Sequence, residues 1–470
     1  MSTNILEIEK KEKHKMKMLD IFLVVLFSFL TGTTLLTAQS YGIITKQQID
    51  EAITEIAAGD RLKTQSKSDL VALANRALTK VHSANVPLYS YAFYGATQSE
   101  LDAVNNSFRA LADNELAFQL ALAYKITGNK AYADKAIYFL NAWGTNSPSY
   151  IVPDFVENGD APDFRRWNSP GFYDRSDADL SMCSTMVGFL QAAMILENYE
   201  GFTPAIKVKF NAWMAKREIN YKRFFLPGEA GGSDWALPEW PPSNQTASAL
   251  LFKVMLDAWK GDTDTLSGYD VTYLKKQLDA QIETLTDSGY NIPHMLPIEV
   301  RRGSNAMWYT AWTLETLTAI AEVLQNETSV DLFQWKNKNG SSLENALDRF
   351  FIYVKNPNQW PWLYGKDGST KTGGLGRIVE RNSWGGTLYE AMGHKYNKTE
   401  WTAWATKEKA SVFFGTSHTA WSVPALFAPL SIGSESHEPE FAPLSIGSES
   451  RELEPASVFK PFVITKGNLK

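Results

Sequence analysis

The amino-acid sequence predicts an all-α protein, and an α/α toroid is the arrangement its helices suggest. Three observations carry this. From about residue 45 to 425, apolar residues recur at three- and four-residue steps, as in Leu250, Leu251, Val254, Met255 and Trp259, the spacing of one helix face. Strand-like alternation is rare. The periodic segments number roughly a dozen and are joined by loops of very unequal length. Antiparallel pairs set in an inner and an outer ring fit that pattern, as an incomplete barrel of about six helical hairpins with long cleft-forming loops.

In chain order, the first expected helices are Lys46–Ala58, Ser68–His82, Asn114–Thr127 and Lys130–Trp143. Asp177–Tyr199, Pro204–Tyr221, Asn244–Trp259 and Tyr273–Thr286 follow, then Asn305–Leu324 and Leu343–Val354. Ser243, after Pro241-Pro242, is the expected cap of one helix, and Ser304, after Gly303, of another. Residues 144–176, 222–243 and 356–385 have little apolar periodicity and are rich in Pro, Gly, Trp, Arg and Asp. Long structureless loops inside a compact domain are usually functional, so these three are the expected rim of a cleft.

The ends of the chain read differently. Five lysines between Lys10 and Lys17 precede the apolar run Ile21–Leu30, and small and polar residues lead to Ala38. That is the layout of a secretory signal peptide, so residues 1–38 are the expected leader of a secreted or periplasmic protein, with no stable membrane insertion after cleavage. Residues 39–426 form the expected helical domain. Residues 427–470 form a peripheral tail in which Phe427–Ser436 recurs as Phe441–Ser450; two copies do not make a solenoid.

Composition narrows the function. A net charge of −6 over 470 residues argues against nucleic acid as a partner and gives no global attraction to a polyanion. An anionic ligand therefore has to be held by local basic residues. Fifteen tryptophans exceed what a groove needs, so most belong to the core, while a minority is expected to stack on flat ligand faces. The one cysteine, Cys183, rules out an internal disulfide and reads as a core residue. No metal-ligand spacing occurs, and no cofactor is called for.

The strongest chemical signal is Glu299-Val-Arg301-Arg302-Gly303-Ser304-Asn305-Ala-Met-Trp308-Tyr309. Arg302 falls just before the predicted helix, and Tyr309 sits within its first two turns. Asn305 and Tyr309, four apart, share a face, with Trp308 and Trp312 on the adjacent one. An arginine, an amide and a phenol thus converge beside an aromatic wall; the bland alternative is a core tyrosine with two surface arginines. Asn244 and Gln245 open another helix, whose backbone N–H groups and dipole favour a carboxylate.

The order of these motifs resembles the alginate lyase superfamily, α/α toroids that depolymerise uronic-acid polysaccharides. By that resemblance Asn244 matches the Asn of the family's Asn-His pair, Arg302 its arginine and Tyr309 its catalytic tyrosine. The likeness extends over about residues 60–410 in helix layout. One departure stands out: Gln245 occupies the histidine's position, and an amide cannot take a proton at neutral pH. His294, His394 and Glu239 are the candidates to replace it, and Asn168 offers a further donor. Arg165, Arg166, Trp235, Trp240, Arg301, Asn305, Trp308 and Trp312 complete the expected binding surface for an anionic polysaccharide.

The resemblance implies β-elimination. A base removes the C5 proton of a uronate, the C4–O bond breaks, and donors around the carboxylate take up the developing charge. Asn244, Gln245 and either Glu239 or Asn168 are the expected donors, with Tyr309 as base. A free tyrosine titrates at about 10, so Arg302 has to stabilise the phenolate, by about 3–4 kcal/mol if its pKa is to fall two to three units. Mannuronate-rich alginate is the favoured polymer, with glucuronan next. Two other readings stay open at this point. A toroidal glycoside hydrolase would use two carboxylates drawn from Asp154, Asp163, Asp174, Asp177, Asp179, Asp234 and Glu239. A non-catalytic glycan-binding protein would keep the tryptophans and not need Tyr309.

Overall fold

A computed structural model describes residues 39–84, 98–145, 187–225, 243–286, 291–300, 306–356, 359–360 and 386–407. The expected leader, Cys183, most of the three long loops and the expected tail lie outside these residues. The chain opens with a two-stranded turn, β1 (Ser40–Tyr41) and β2 (Ile44–Thr45), paired antiparallel. Gly42 carries it with φ +79°, a conformation that favours glycine, and the carbonyl of Gly42 accepts from Asn326 Nδ2 at 2.9 Å.

Helices then follow one another: α1 (Lys46–Ala57), α2 (Arg61–Leu78), α3 (Gln98–Thr127), α4 (Lys130–Thr145), a helical stretch at 187–195, and α5 (Pro204–Phe225). The second half contains α6 (Asn244–Lys260), α7 (Val271–Gln281), the hairpin β3 (Glu283–Leu285) and β4 (Ile292–Met295), and the short α8 (Pro297–Val300). It ends with α9 (Ala306–Thr328), α10 (Leu343–Lys355), α11 (Gly386–Lys395) and α12 (Thr399–Lys407). Neighbours in sequence pack as neighbours in space: α2 with α3, α3 with α4, α4 with α5, α5 with α6, α9 with α10, and α11 with α12. Helical hairpins added one after another make the open α/α toroid that periodicity suggested.

Three helices differ from expectation: α3 begins at Gln98, sixteen residues before the expected Asn114, and two others differ for local reasons. α2 starts seven residues earlier than its apolar stripe because Asp60 caps it, accepting from the Lys63 N–H at 2.8 Å; its first turns are polar and show no periodicity. α7 stops at Gln281 rather than Thr286, since Ile282 is extended (φ −97°, ψ 100°) and leads into β3. α11 and α12 were not expected. They pack closely because residue 393 is glycine: a Cβ there would lie 2.9 Å from the Thr402 nitrogen.

Aromatic packing fills the interior. Trp143 and Trp213, both fully buried, stack at 5.7 Å and 23°, with Phe189 and Phe210 edge-on or tilted against them. Phe351, Tyr389, Trp401 and Trp404 form a second cluster that joins α10 to α11 and α12. Such pairs add about 0.5–1.5 kcal/mol each beyond their buried area.

α9 is the axis on which the second half is organised. It is rich in apolar residues around its whole circumference and buried on almost every side, as suits a helix surrounded by protein. Its threonines are satisfied inside the helix: Thr310, Thr313, Thr316 and Thr318 each donate to the carbonyl four residues back at 2.8 Å. α6 lies along α9, and the β3–β4 hairpin and α8 return the chain to the start of α6 before α9 begins.

Candidate active site

The start of α6 is built from short-range and long-range bonds together. Ser243 stands at the cap position, and its N–H donates to Thr246 Oγ1 at 2.8 Å. The Thr246 hydroxyl in turn donates to Gln277 Oε1 on α7 at 3.2 Å, which ties that end of α6 to α7. The Asn244 N–H donates to Glu299 Oε1 at 2.6 Å, across 55 residues of sequence. Glu299 is fully buried and belongs to α8, three residues ahead of Arg302 and ten ahead of Tyr309. The helix start expected to offer its backbone donors to a ligand carboxylate thus already gives one of them to a carboxyl of the protein.

The Asn244 side chain is the exception in this well-bonded corner. Asn244 is 1% exposed, yet neither its Oδ1 nor its Nδ2 has a hydrogen-bond partner. A buried amide left without partners costs about 1–3 kcal/mol and calls for an explanation. Tyr309 lies in the first turn of α9, half-buried, with its ring 5.9 Å from that of Trp312. Trp312 is 2% exposed, so it backs the Tyr309 ring from inside.

The histidines part company. His294 is half-buried at φ +61°, with Nδ1 2.7 Å from Ser341 Oγ. Burial, with Arg349 nearby, lowers its pKa, so the ring is neutral at pH 7 and bonded to the segment that enters α10. His394 is exposed at the end of α11, beside Lys395, which pairs with Glu322 at 2.6 Å. Glu322 is thirteen residues beyond Tyr309, about 20 Å along α9 at 1.5 Å per residue. The structure does not bring His394 to Tyr309. Of the other expected residues, Arg165, Arg166, Asn168, Trp235, Glu239, Trp240, Arg301, Arg302 and Asn305 lie outside the described residues. So do the side chains of Gln245 and Trp308, whose backbones are helical.

Two features escaped sequence reasoning. Glu299 stands in plain view before two arginines, and its burial follows from its apolar neighbours Ile298 and Val300. Glu315 is an acid in the apolar run of α9, fully buried with neither carboxyl oxygen partnered; burial raises its pKa well above the usual carboxylate range. No group of three or more His, Cys, Asp or Glu side chains suited to a metal occurs among the described residues, and no described helix is long and apolar enough to cross a membrane.

Known proteins place this arrangement. A family model described as alginate lyase matches residues 53–360. The chain belongs to the alginate lyase family and is a polysaccharide lyase, which sets aside the hydrolase and the non-catalytic binder. Among solved structures, an alginate lyase from Bacteroides ovatus aligns with a TM-score of 0.55 at 16% identity, covering 84% of this chain and 100% of its own. Alginate lyase A1-III, as a tyrosine-to-phenylalanine variant complexed with a tetrasaccharide, aligns with a TM-score of 0.54 at 15% identity, covering 87% of this chain and 99% of its own. The same enzyme from Sphingomonas species A1, without that substitution, gives 0.50 at 16% identity, with 84% and 97% covered. At such identities the likeness concerns the fold. Among curated proteins, no sequence matches this chain.

Proposed function

We propose that this lyase cleaves mannuronate-rich alginate by β-elimination at a site formed by the start of α6 and the start of α9, with glucuronan as the next substrate in preference. The observation that carries the reading is the Asn244 side chain: buried, unpartnered, and bonded through its own backbone to the α8 segment that leads to Arg302 and Tyr309. A uronate carboxylate is the ligand such an amide suits, since Nδ2 donates to it and the charge that develops on it in the transition state strengthens the bond. Gln245 adds a second donor in the position where the family has a histidine.

Tyr309 takes the C5 proton as a phenolate held by Arg302, the C4–O bond breaks, and the C4–C5 double bond forms. Where O4 leaves on the same face, the tyrosine returns its proton to it. Trp312 fixes the Tyr309 ring from behind, which removes a rotamer the reaction would otherwise have to freeze. Support for the tyrosine also comes from the neighbouring structure that pairs a tetrasaccharide with a tyrosine-to-phenylalanine substitution. The loops carrying Arg165, Arg166, Asn168, Trp235, Glu239, Trp240 and Arg301 supply the rest of the polymer cleft in this reading. Secretion through the 1–38 leader would bring the enzyme to its polymer.

The experiment is incubation of the protein with polymannuronate, polyguluronate, glucuronan and hyaluronan, following ultraviolet absorbance of the conjugated double bond. The reading expects the fastest rise with polymannuronate and its loss in Tyr309→Phe. A faster rise with polyguluronate or hyaluronan would reassign the substrate, and full activity of Tyr309→Phe would remove the tyrosine from the mechanism.

A further inference from the structure

We infer that Glu299 is a positioning residue for the elimination: its carboxyl bonds the start of α6 to α8, the short helix ahead of the Tyr309 helix, and, by doing so, holds the Asn244 amide ready for the substrate carboxylate. The inference rests on the proposed role of Asn244.

The bond itself is the first argument. Glu299 Oε1 accepts the Asn244 N–H at 2.6 Å, with the two residues 0% and 1% exposed. Helix starts are ordinarily capped by the residue just before them. Here the acceptor comes from 55 residues away, on the short helix that feeds the tyrosine helix. That bond adds a link from the start of α6 to α8, which precedes and packs on α9, to the packing of α6 along α9.

The second argument concerns what an asparagine does when left alone. Near a helix start its amide oxygen turns back onto local backbone N–H groups. Two of those donors are already taken: the Asn244 N–H by Glu299 and the Ala247 N–H by the Ser243 carbonyl. With both occupied, the amide keeps its Oδ1 and Nδ2 unpartnered in a buried setting. The carboxyl at this helix start also satisfies the helix dipole. The substrate carboxylate then depends on the side-chain amides and on Arg302, which are directional, and specificity is set by side chains.

The test is a set of variants assayed on polymannuronate with kcat and KM separated. Glu299→Ala is expected to lower kcat on the order of 10²-fold, the cost of an ångström-scale misplacement, with KM changed less than about threefold. Glu299→Gln keeps an acceptor at the same reach and is expected to recover most of that loss. Glu299→Asp withdraws the acceptor by one methylene while keeping a buried acid, and replaces the alanine variant if the latter does not fold, as judged by its thermal transition. In an Asn244→Ala background, removing Glu299 is expected to cost less than about twofold more, because residues acting through one another are not additive.

Equal losses for the glutamine and alanine variants, or losses that multiply in the Asn244→Ala background, would overturn the inference while leaving the functional reading intact. Full activity of Asn244→Ala would overturn that reading, and the inference with it.

Discussion

α9 is in contact with two buried polar corners that are built in opposite ways. Toward its C-terminal half, Lys395 reaches in from α11 and is fully engaged: an ion pair with Glu322 at 2.6 Å, a bond to Gln325 Oε1 at 2.8 Å, and the Phe333 ring 4.5 Å away. Near its N-terminus, the start of α6 has its backbone bonded and its asparagine amide not. Asn244, Lys395 and Glu322 are all buried, so burial does not distinguish the two corners. Satisfaction does. The paired corner closes the fold onto α11, while the unpaired one keeps an asparagine amide whose bonding capacity the protein does not use.

The largest expected effect falls on the unpaired side. Tyr309→Phe removes one hydroxyl oxygen and should lower kcat by about 10³-fold, within the 10²–10⁴ range of a general base, and leave thermal unfolding nearly unchanged. A comparable drop in stability would mean that Tyr309 belongs to the packing instead.

The paired side should show the reverse pattern. Lys395→Met leaves Glu322 buried without its cation and is expected to cost about 3–5 kcal/mol in denaturant unfolding, with kcat in the still-folded fraction little changed. An activity loss exceeding the loss of folded protein would connect this corner to the site and dissolve the contrast. The double variant Lys395→Met/Glu322→Gln is expected to regain part of the stability, because removing both partners costs less than removing one.

How much of this was legible in the sequence follows the same division. α6 and α9 announce themselves through Leu250, Leu251, Val254 and Met255, and through the recurring apolar residues from Ala306 to Leu324; Ser243 marks the helix start beside Asn244. Apolar periodicity also gave α1, α4, α5 and α10 to within a few residues. It missed the polar first turns of α2, which Asp60 holds, and the whole of α11 and α12, whose close approach turns on Gly393. Tyr309 and Asn244 could be singled out by spacing and resemblance. Their connection could not, because the Glu299 bond spans 55 residues and no local pattern encodes it. His394 shows the converse: a histidine in a turn looks available, and only the Lys395–Glu322 pair reveals that it stands at the wrong end of α9.

A smaller, pH-dependent effect sharpens the comparison further. Glu390 on α11 is 5% exposed, and burial raises its pKa to about 8. The folded state therefore holds a proton on Glu390 that the unfolded chain gives up near the ordinary carboxylate value. Its contribution is fully present below about pH 4.3 and is lost as pH rises toward 8, at up to about 1.4 kcal/mol per pH unit. Glu390→Gln should accordingly gain stability relative to the parent between pH 5 and pH 8, read from urea unfolding at both values. An unchanged difference across that interval would mean that Glu390 is ionised in the folded protein.

The most direct test of the central claim, that the unsatisfied corner is the functional one, is to measure Asn244→Ala twice: its initial rate of ultraviolet absorbance gain on polymannuronate and its unfolding free energy. The account predicts a rate lower on the order of 10²-fold, the cost of losing one donor to a developing charge, with stability equal to the parent or higher by up to about 1 kcal/mol once an unpartnered amide is gone. An unchanged rate accompanied by a loss of stability would contradict it, and would make Asn244 a structural residue of α6.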